Sequence, residues 1–280
     1  MSRDLYGIQY PDILIFPRRR LPEKYMLLAI DIGNTSIVFG LFEKEKLLAH
    51  WRIRSEQGRT PDEYWALVNE FFRLNNIKAG SISDIIIACV VPPLVPVFEE
   101  LSSKYFAAKP LFIGPGVKTG ISILYKNPEE VGADRIVNAA AGYEKYGGPL
   151  IIVDFGTATT FDAVSARGEY VGGAIFPGVE ISLDALFKRT SKLPRVDIIM
   201  PDRVIGRSTA ESIQSGVSYG FMGMIDNIVA KMRAELGGTC RVIGTGGLLK
   251  IIADKTESID TIDPNLTLEG LRIIHDRNRA

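Results

Sequence analysis

The chain has 280 residues, of which 46% are hydrophobic, and its 33 Lys and Arg residues balance 33 Asp and Glu residues. A chain of this length can bury a large core and divides more naturally into two domains than one. Because there is no net charge, the composition gives no electrostatic indication of a nucleic-acid or anionic-membrane partner.

Few residues are of the types that form disulfides or zinc sites. Cys89 and Cys240 lie in apolar segments, which predicts free thiols and a cytoplasmic location. His50 and His275 are the only histidines, so the spacing of a zinc site is absent. No apolar run approaches the ~20 residues of a transmembrane helix, so we expect no membrane partner.

The N-terminal segment 1–25 has a different pattern from the rest of the chain. It contains three prolines and no helical or strand period, and its apolar run 13–16 is too short for the core of a signal peptide. We interpret it as an N-terminal extension that is disordered; the alternative is an ordered arm.

From residue 26 the pattern alternates between strands and helices. Thr60 and Glu63 form a capping box with Pro61 at the first helical position, which predicts the start of the first helix. The other elements predicted in this half are strands at 26–32, 36–42, 47–53, 85–91 and 110–113, a helix that ends near 106, and a helix that begins at 127 and runs through 141.

The second half repeats this order. Strands are predicted at 150–154, 158–165 and 169–175, followed by helices, a buried strand at 241–243 and a C-terminal helix that begins near 266. We place the domain boundary in the Gly-Gly-Pro segment 147–149, which gives an N-terminal domain at 26–147 and a C-terminal domain at 148–280. This α/β outline resembles the paired ribonuclease-H-like domains of actin, hexokinase and the Hsp70 ATPase, with a nucleotide cleft between them.

Two similar segments carry the clearest chemical signal. The segments 31–35 (DIGNT) and 154–159 (DFGTAT) each follow an apolar run and precede another, which predicts a strand, a tight turn and a second strand. The Asp supplies hard oxygen ligands for a cation, and the Gly, amide and hydroxyl groups can approach phosphate oxygens. An ordinary hairpin turn is the alternative for either copy alone; two copies favour a nucleotide site between the halves.

Three further segments have competing interpretations. The glycine cluster 244–247 is typical of a purine or phosphate site, and equally of a tight turn between a strand and a helix. The segment 114–119 lacks the spacing of a P-loop and is interpreted as a loop. Asp134 and Arg135 could accept a substrate proton and hold a carboxylate, or could form a solvated helical charge pair.

Taken in order, these segments carry a family resemblance. The chain resembles the type III pantothenate kinases, also described as the Bvg accessory factor family, within the actin, sugar kinase and Hsp70 (ASKHA) superfamily. The resemblance covers residues 26 to about 278 and leaves only the N-terminal extension outside it. The motifs that carry it are DIGNT at 31–35, GADR at 132–135, DFGTAT at 154–159, GGAIFPG at 172–178, IQSG at 213–216 and LTLEGL at 266–271.

The resemblance implies a role for each matching residue. Asp134 would be the catalytic base on the primary hydroxyl of pantothenate, and Asp154 would hold a monovalent cation, K⁺ or NH₄⁺. Asp31 would lie near Mg²⁺. The implied ATP-binding residues are Asp31, Ile32, Gly33, Asn34, Thr35, Ser36, Ile37, Val38 and Thr157. The implied pantothenate-binding residues are Tyr125, Gly132, Ala133, Asp134, Arg135 and Thr209.

The activity implied by the resemblance is ATP-dependent phosphorylation of pantothenate to 4'-phosphopantothenate, the first step of coenzyme A biosynthesis, by a homodimer. Two alternatives remain at this point. One is a kinase or phosphatase of the same superfamily that acts on another small molecule. The other is a non-catalytic, nucleotide-binding regulator, which the combination of Asp31, Asp134 and Asp154 disfavours because a binding module needs no base.

Overall fold

The computed structural model describes residues 26–247 and 256–279. The predictions for the N-terminal extension 1–25, and for a helix directly after the glycine cluster, fall outside the described residues. Mixed α/β structure with two separate sheets is present, as the sequence predicts. No helix in the described ranges is long and apolar enough to cross a lipid bilayer.

The first sheet has five strands in the order β3-β2-β1-β4-β5. β1, β2 and β3 form an antiparallel meander, and β4 and β5 continue the sheet in parallel with β1. Their bounds are β1 Met26–Ile32, β2 Ser36–Glu43, β3 Lys46–Arg54, β4 Ile82–Cys89 and β5 Leu111–Phe112.

The second sheet repeats this topology in the order β11-β10-β7-β8-β9-β6. β7, β8 and β9 are the antiparallel meander, β10 and β11 run parallel to β7, and β6 is an additional edge strand beside β9. Their bounds are β6 Ser122–Ile123, β7 Leu150–Phe155, β8 Ala158–Val164, β9 Glu169–Pro177, β10 Arg241–Thr245 and β11 Thr261–Ile262. The chain is therefore a structural duplication, as predicted.

Six α-helices of the described ranges cover the sheets. They are α1 Pro61–Leu74, α2 Val95–Phe106, α3 Ala133–Tyr146, α4 Val179–Arg189, α5 Thr209–Glu235 and α6 Leu266–Asn278. The capping box predicted for α1 is present, because the Thr60 side chain accepts from the Glu63 backbone and the Glu63 side chain accepts from the Thr60 backbone.

The prediction of one helix from 127 through 141 is wrong. Residues Pro128–Glu130 form a single 3₁₀ turn, and Val131 then adopts an extended conformation before α3 begins. Gly132, in the position before the first helical residue, has a φ of −55° and a ψ of 140°, which also lies outside the helical region. Because of this break, α3 begins at Ala133, and Asp134 lies in its first turn.

Two elements cross the boundary that the sequence places at 147/148. The edge strand β6 comes from the first half but pairs with β9 of the second sheet. The C-terminal helix α6 packs against α3 and β1, where Leu268, Leu271 and Ile274 join the apolar cluster beneath the first sheet. The division into domains at 26–147 and 148–280 remains a prediction.

Candidate active site

The two acidic hairpins occupy equivalent places in the two sheets. Asp31 stands opposite Val38 and Asp154 opposite Thr160, in each case one residue before the last paired residue of the first strand. The turns that follow meet each other, since the hydroxyls of Thr35 and Thr157 lie 2.7 Å apart. The duplication therefore places both acids at the junction between the two halves of the chain.

A third acid joins them from the start of α3. Both Asp31 and Asp154 interact electrostatically with Asp134 as well as with the Arg52 side chain. All three carboxylates are partly exposed at the floor of this junction. The three acids singled out in the sequence, which are far apart along the chain, are thus neighbours in space.

Burial is the largest cause of the raised pKa values of these three acids. It raises the pKa of Asp31 to about 8, with further increases from the negative charges of Asp134 and Asp154. It raises the pKa of Asp154 to about 7, with Asp134 again adding to the effect and a hydrogen bond from Asn138 opposing it. The pKa of Asp134 is also raised by burial. The site concentrates negative charge that a bound cation would relieve.

This charge concentration predicts an unusual pH dependence of stability in the protein free of metal and nucleotide. The folded-state pKa values of Asp31 and Asp154 exceed their ordinary value of 3.8, so their contribution to stability is present below pH ~4 and is lost as pH rises through 7 and 8. We expect the melting temperature to fall between about pH 6 and pH 9, measured in EDTA and a sodium-free, potassium-free buffer.

The matched variants for this measurement are Asp154→Asn and Asp276→Asn. The first removes a titrating group and also relieves Asp31, so its melting temperature should depend less on pH. The second replaces an exposed aspartate on α6 and should follow the unmodified protein. Identical pH profiles for the unmodified protein and Asp154→Asn would contradict the assignment.

The Asp134 carboxylate is fixed by the break that precedes α3. Its Oδ1 accepts a hydrogen bond of 2.8 Å from the backbone N–H of Arg135. A Cβ at Gly132 would lie 2.5 Å from the same oxygen, so a side chain at this position would displace the carboxylate. Gly132 and Ala133, predicted to line the substrate pocket, thus lie where they shape the surroundings of Asp134.

The next residue, Arg135, is buried. Its Nε donates to Oδ1 of Asp162 at 2.7 Å, while Asp162 also accepts from Tyr170 and Thr160. The Nη2 atom lies 2.7 Å from Oδ1 but lacks hydrogen-bond alignment, and no other partner for it is present in the described residues. Arg135 therefore has a buried donor that is available to an incoming acceptor.

Tyr125 lies on the same side of the site as Arg135. The edge strand β6 carries it beside β9, with its ring 6.2 Å from that of Tyr170. Gly172 and Gly173 of β9 border this region, since a Cβ at Gly172 would lie 3.6 Å from the Tyr125 ring and one at Gly173 would lie 3.0 Å from Arg135 Nη2. Arg135 of the GADR motif and the glycines of the GGAIFPG motif therefore lie together near Tyr125.

Asp154 is oriented by residues from outside its own hairpin. Asn138 of α3, which is 1% exposed, donates from Nδ2 to Asp154 Oδ2 at 2.9 Å. The Thr267 hydroxyl donates to Asn138 Oδ1 at 2.7 Å and so fixes which end of the amide faces the acid. The first turn of α6 thereby contributes to the position of Asp154.

The remaining predicted site residues fall into three groups. Ile32 and Ile37 are fully buried in the core, so only their backbones could contact a ligand. Asn34, Ser36 and Val38 lie at or beside the first hairpin turn with partial or full exposure. Thr209 is exposed at the start of α5, and no hydrogen bond in the described residues joins it to the acids or to Arg135.

Four residues of the site were not predicted from the sequence: Arg52, Asn138, Asp162 and Tyr170. A signal for Asp162 exists, since a charged residue stands inside the otherwise apolar strand segment 161–164. The sequence around the other three residues gives no such signal, because they reach the site only through the packing of elements that are distant along the chain.

The residues present fit a magnesium–nucleotide complex. Mg²⁺ is usually held by one or two carboxylates together with phosphate oxygens and water, and Asp31 and Asp154 supply carboxylates beside two turns rich in Gly and Thr. No group of three or more metal-ligating side chains forms a ready-made metal cage within the described ranges.

Comparison with known proteins agrees with this geometry. The family model described as type III pantothenate kinase matches residues 27–231. A type III pantothenate kinase of Geobacter sulfurreducens is 56% identical over 254 residues, which covers 91% of this chain and 100% of the relative. One from Moorella thermoacetica is 51% identical and covers 90% of this chain and 100% of the relative.

Solved structures support the fold at low identity. A putative Baf family transcriptional activator from Campylobacter jejuni superposes with a TM-score of 0.56 at 18% identity, covering 90% of this chain and 98% of the other. The ethanolamine utilization protein EutJ from Carboxydothermus hydrogenoformans gives 0.54 at 14% identity, with 91% of each chain covered. A putative N-acetylmannosamine kinase from Listeria monocytogenes gives 0.52 at 9% identity, covering 91% and 100%.

Proposed function

Since the chain belongs to the type III pantothenate kinase family, we propose that it transfers the γ-phosphoryl group of ATP to the primary hydroxyl of pantothenate, yielding 4'-phosphopantothenate and ADP for coenzyme A synthesis in the cytoplasm. The observation that carries this assignment is the convergence of Asp31, Asp134 and Asp154 at the junction of the two acidic hairpins.

ATP is assigned to the paired turns. Backbone N–H groups and hydroxyls around Gly33, Thr35 and Thr157 would bind phosphate oxygens, because the two turns meet at a single point. Asp31 would hold Mg²⁺ together with those oxygens, and the ion supplies neutralisation of phosphate charge. The residues 31–38 and Thr157 are the ATP-binding set under this proposal.

Asp134 orients the acceptor alcohol and takes its proton. Burial raises the pKa of Asp134, so the carboxylate is a stronger base at neutral pH than an exposed aspartate. In a loose phosphoryl-transfer transition state the proton moves late, so holding the hydroxyl in line with the γ-phosphorus is the larger part of this role.

Pantothenate is assigned to the region beside Asp134. Its carboxylate would accept from the unsatisfied Nη2 donor of Arg135, and Tyr125 would cover the chain of the substrate. This places the carboxylate at Arg135 and the hydroxyl at Asp134, two adjacent residues at the start of α3. Thr209 completes the set as a substrate contact.

The direct test is an assay with ATP and pantothenate in which the product is identified by mass. We expect ADP and phosphorylated pantothenate in equal amounts, and product formation that is slower by roughly 10²-fold or more in the Asp134→Asn variant. ADP formation without phosphorylated pantothenate would indicate another acceptor.

Asp154 is proposed to bind K⁺ or NH₄⁺. Its carboxylate is held in place by Asn138 and lies in a region of excess negative charge. We expect K⁺ and NH₄⁺ to activate phosphoryl transfer and Na⁺ not to reproduce the effect, measured as initial rate against salt concentration at constant ionic strength. Asp154→Asn should lose the activation. Equal rates in all three salts would argue against a selective site.

We also propose that the protein is a homodimer. Exposed apolar side chains are concentrated in β9, α4 and the segment before α5, where a second copy of the chain could cover them. They are Val171, Ile175, Phe176, Ile181, Leu186, Phe187, Ile199, Val204 and Ile205. Sedimentation at micromolar concentration tests this assembly, and a stable monomer would contradict it.

A further inference from the structure

The side chain of Arg52 stands across the site from the acids, on a strand that carries no predicted site residue. β3 pairs with β2 and β2 with β1 so that Arg52, Val38 and Asp31 form one row across the first sheet. Directly opposite residues of antiparallel strands project on the same face. Arg52 therefore extends over Val38 on the face from which Asp31 points into the site.

The tip of Arg52 reaches the second half of the chain. A Cβ at Gly247 would lie 2.6 Å from Arg52 Nη1. The adjacent Gly246, with a φ of +99°, packs so closely on Asp154 that a Cβ there would collide with Oδ1. Two consecutive glycines thus lie against Arg52 and against Asp154, and Gly246 also has a positive φ that favours glycine.

The described part of the chain offers the Arg52 guanidinium no hydrogen-bonded partner. Within residues 26–247 and 256–279, no hydrogen bond and no ion pair shorter than 4 Å engages Arg52. It is nevertheless close enough to lower the pKa values of Asp31 and Asp154. Arg52 is thus an exposed cation with five donors, close to Asp31 and Asp154 and able to bind an anion.

We propose that Arg52 binds the terminal phosphates of ATP and joins the first sheet to the glycine turn 244–247 when the nucleotide is bound. This inference rests on the proposed function for the identity of the nucleotide. A planar guanidinium can donate two parallel hydrogen bonds to a phosphate and offset the charge that develops during transfer. Gly247 acts indirectly, by leaving space for that guanidinium.

The test compares the binding of ATP·Mg²⁺ and AMP by calorimetry. Arg52→Gln should weaken ATP binding by about 10-fold or more, the effect of losing a charge-assisted hydrogen bond, and should leave AMP within about twofold, since AMP lacks the terminal phosphates. Arg52→Lys should recover only part of the loss, because an ammonium lacks the paired donors.

The matched control is Arg73→Gln. Arg73 is an exposed arginine near the far end of α1, which spans about 20 Å from its first residue at 1.5 Å per residue. Like Arg52→Gln, this variant removes one positive charge from the first half of the chain. We expect it to bind ATP·Mg²⁺ and AMP with unchanged affinity. Equal losses for ATP and AMP in Arg52→Gln, or an ATP affinity within twofold of the unmodified protein, would overturn the proposal.

Gly247→Ala tests the geometry without removing the charge. Gly247 does not have a positive φ, so alanine is compatible with the backbone and conflicts only with the guanidinium. It should weaken ATP binding about threefold or more in the unmodified background and have no further effect in Arg52→Gln, the non-additivity expected of residues in contact. Additive losses would show that Gly247 acts independently of Arg52 and would overturn that part of the proposal.

A kinetic measurement separates this inference from the proposed function. At saturating ATP, Arg52→Gln should lower kcat while KM for pantothenate stays unchanged, because Arg135 and not Arg52 is assigned to the pantothenate carboxylate. If the unmodified protein binds ATP but does not phosphorylate pantothenate, the proposed function fails while the comparison of ATP and AMP still decides the role of Arg52.

Discussion

Asp134→Asn is expected to lower kcat by roughly 10²-fold or more, a typical effect of removing a general base. Asparagine has the same shape and can still accept the hydrogen bond from the Arg135 backbone, so the fold and the start of α3 should be preserved. The measurement is steady-state turnover with ATP and pantothenate, together with ATP affinity by calorimetry, which should be close to normal.

The control for this variant is Asp276→Asn, which removes an exposed carboxylate from α6 and should leave kcat unchanged. A near-normal kcat for Asp134→Asn in a preparation free of unmodified protein would remove Asp134 from the chemistry. A loss of ATP affinity as large as the loss of turnover would instead assign Asp134 to nucleotide binding.

Asp162→Ala is expected to lower the free energy of unfolding by about 3–5 kcal/mol, the usual effect of breaking a buried ion pair. The side chain of Asp162 is fully buried and that of Arg135 is 8% exposed, so the variant leaves a buried cation without its counter-ion. Tyr170 and Thr160 lose an acceptor at the same time. Denaturant titration measures the change.

Two further variants serve as controls for the change in the free energy of unfolding of Asp162→Ala. Glu70→Gln breaks an exposed pair with Arg73 and should cost less than about 1 kcal/mol. The double replacement Arg135→Met with Asp162→Leu removes both charges and should recover much of the stability without restoring pantothenate binding. A small loss in Asp162→Ala would contradict a structural role for the pair, and full activity in the double variant would contradict substrate binding by Arg135.

The hairpins could be predicted because their signal is local. A strand that ends in Asp, followed by Gly and small polar residues, specifies both the turn and the position of the acid, and β1 begins and ends where the sequence places it. The capping box of α1 is equally local, since Thr60 and Glu63 are three residues apart. Such features depend on a few neighbouring residues and little on tertiary contacts.

The residues that surround the three acids could not be predicted in the same way. Asn138 orients Asp154 only because α3 packs beneath β7, and Arg52 faces the acids only through the pairing of three strands. The break at Gly132 was missed for another reason. The residues 127–130 are of types that often begin a helix, so the sequence predicts one continuous helix. In the structure Val131 is extended, and α3 begins after it with Asp134 in its first turn.

The position of α6 has a consequence for synthesis on the ribosome. Leu268, Leu271 and Ile274 cover apolar side chains of β1 and β4, which are made more than 150 residues earlier. Before α6 is synthesised, Val137 and Ala140 of α3 cover only part of that face, so nascent chains would expose the remainder to chaperones or to one another. Because Thr267 on the same helix also holds Asn138 in place, the orientation of Asp154 depends on a helix that is synthesised long after β7.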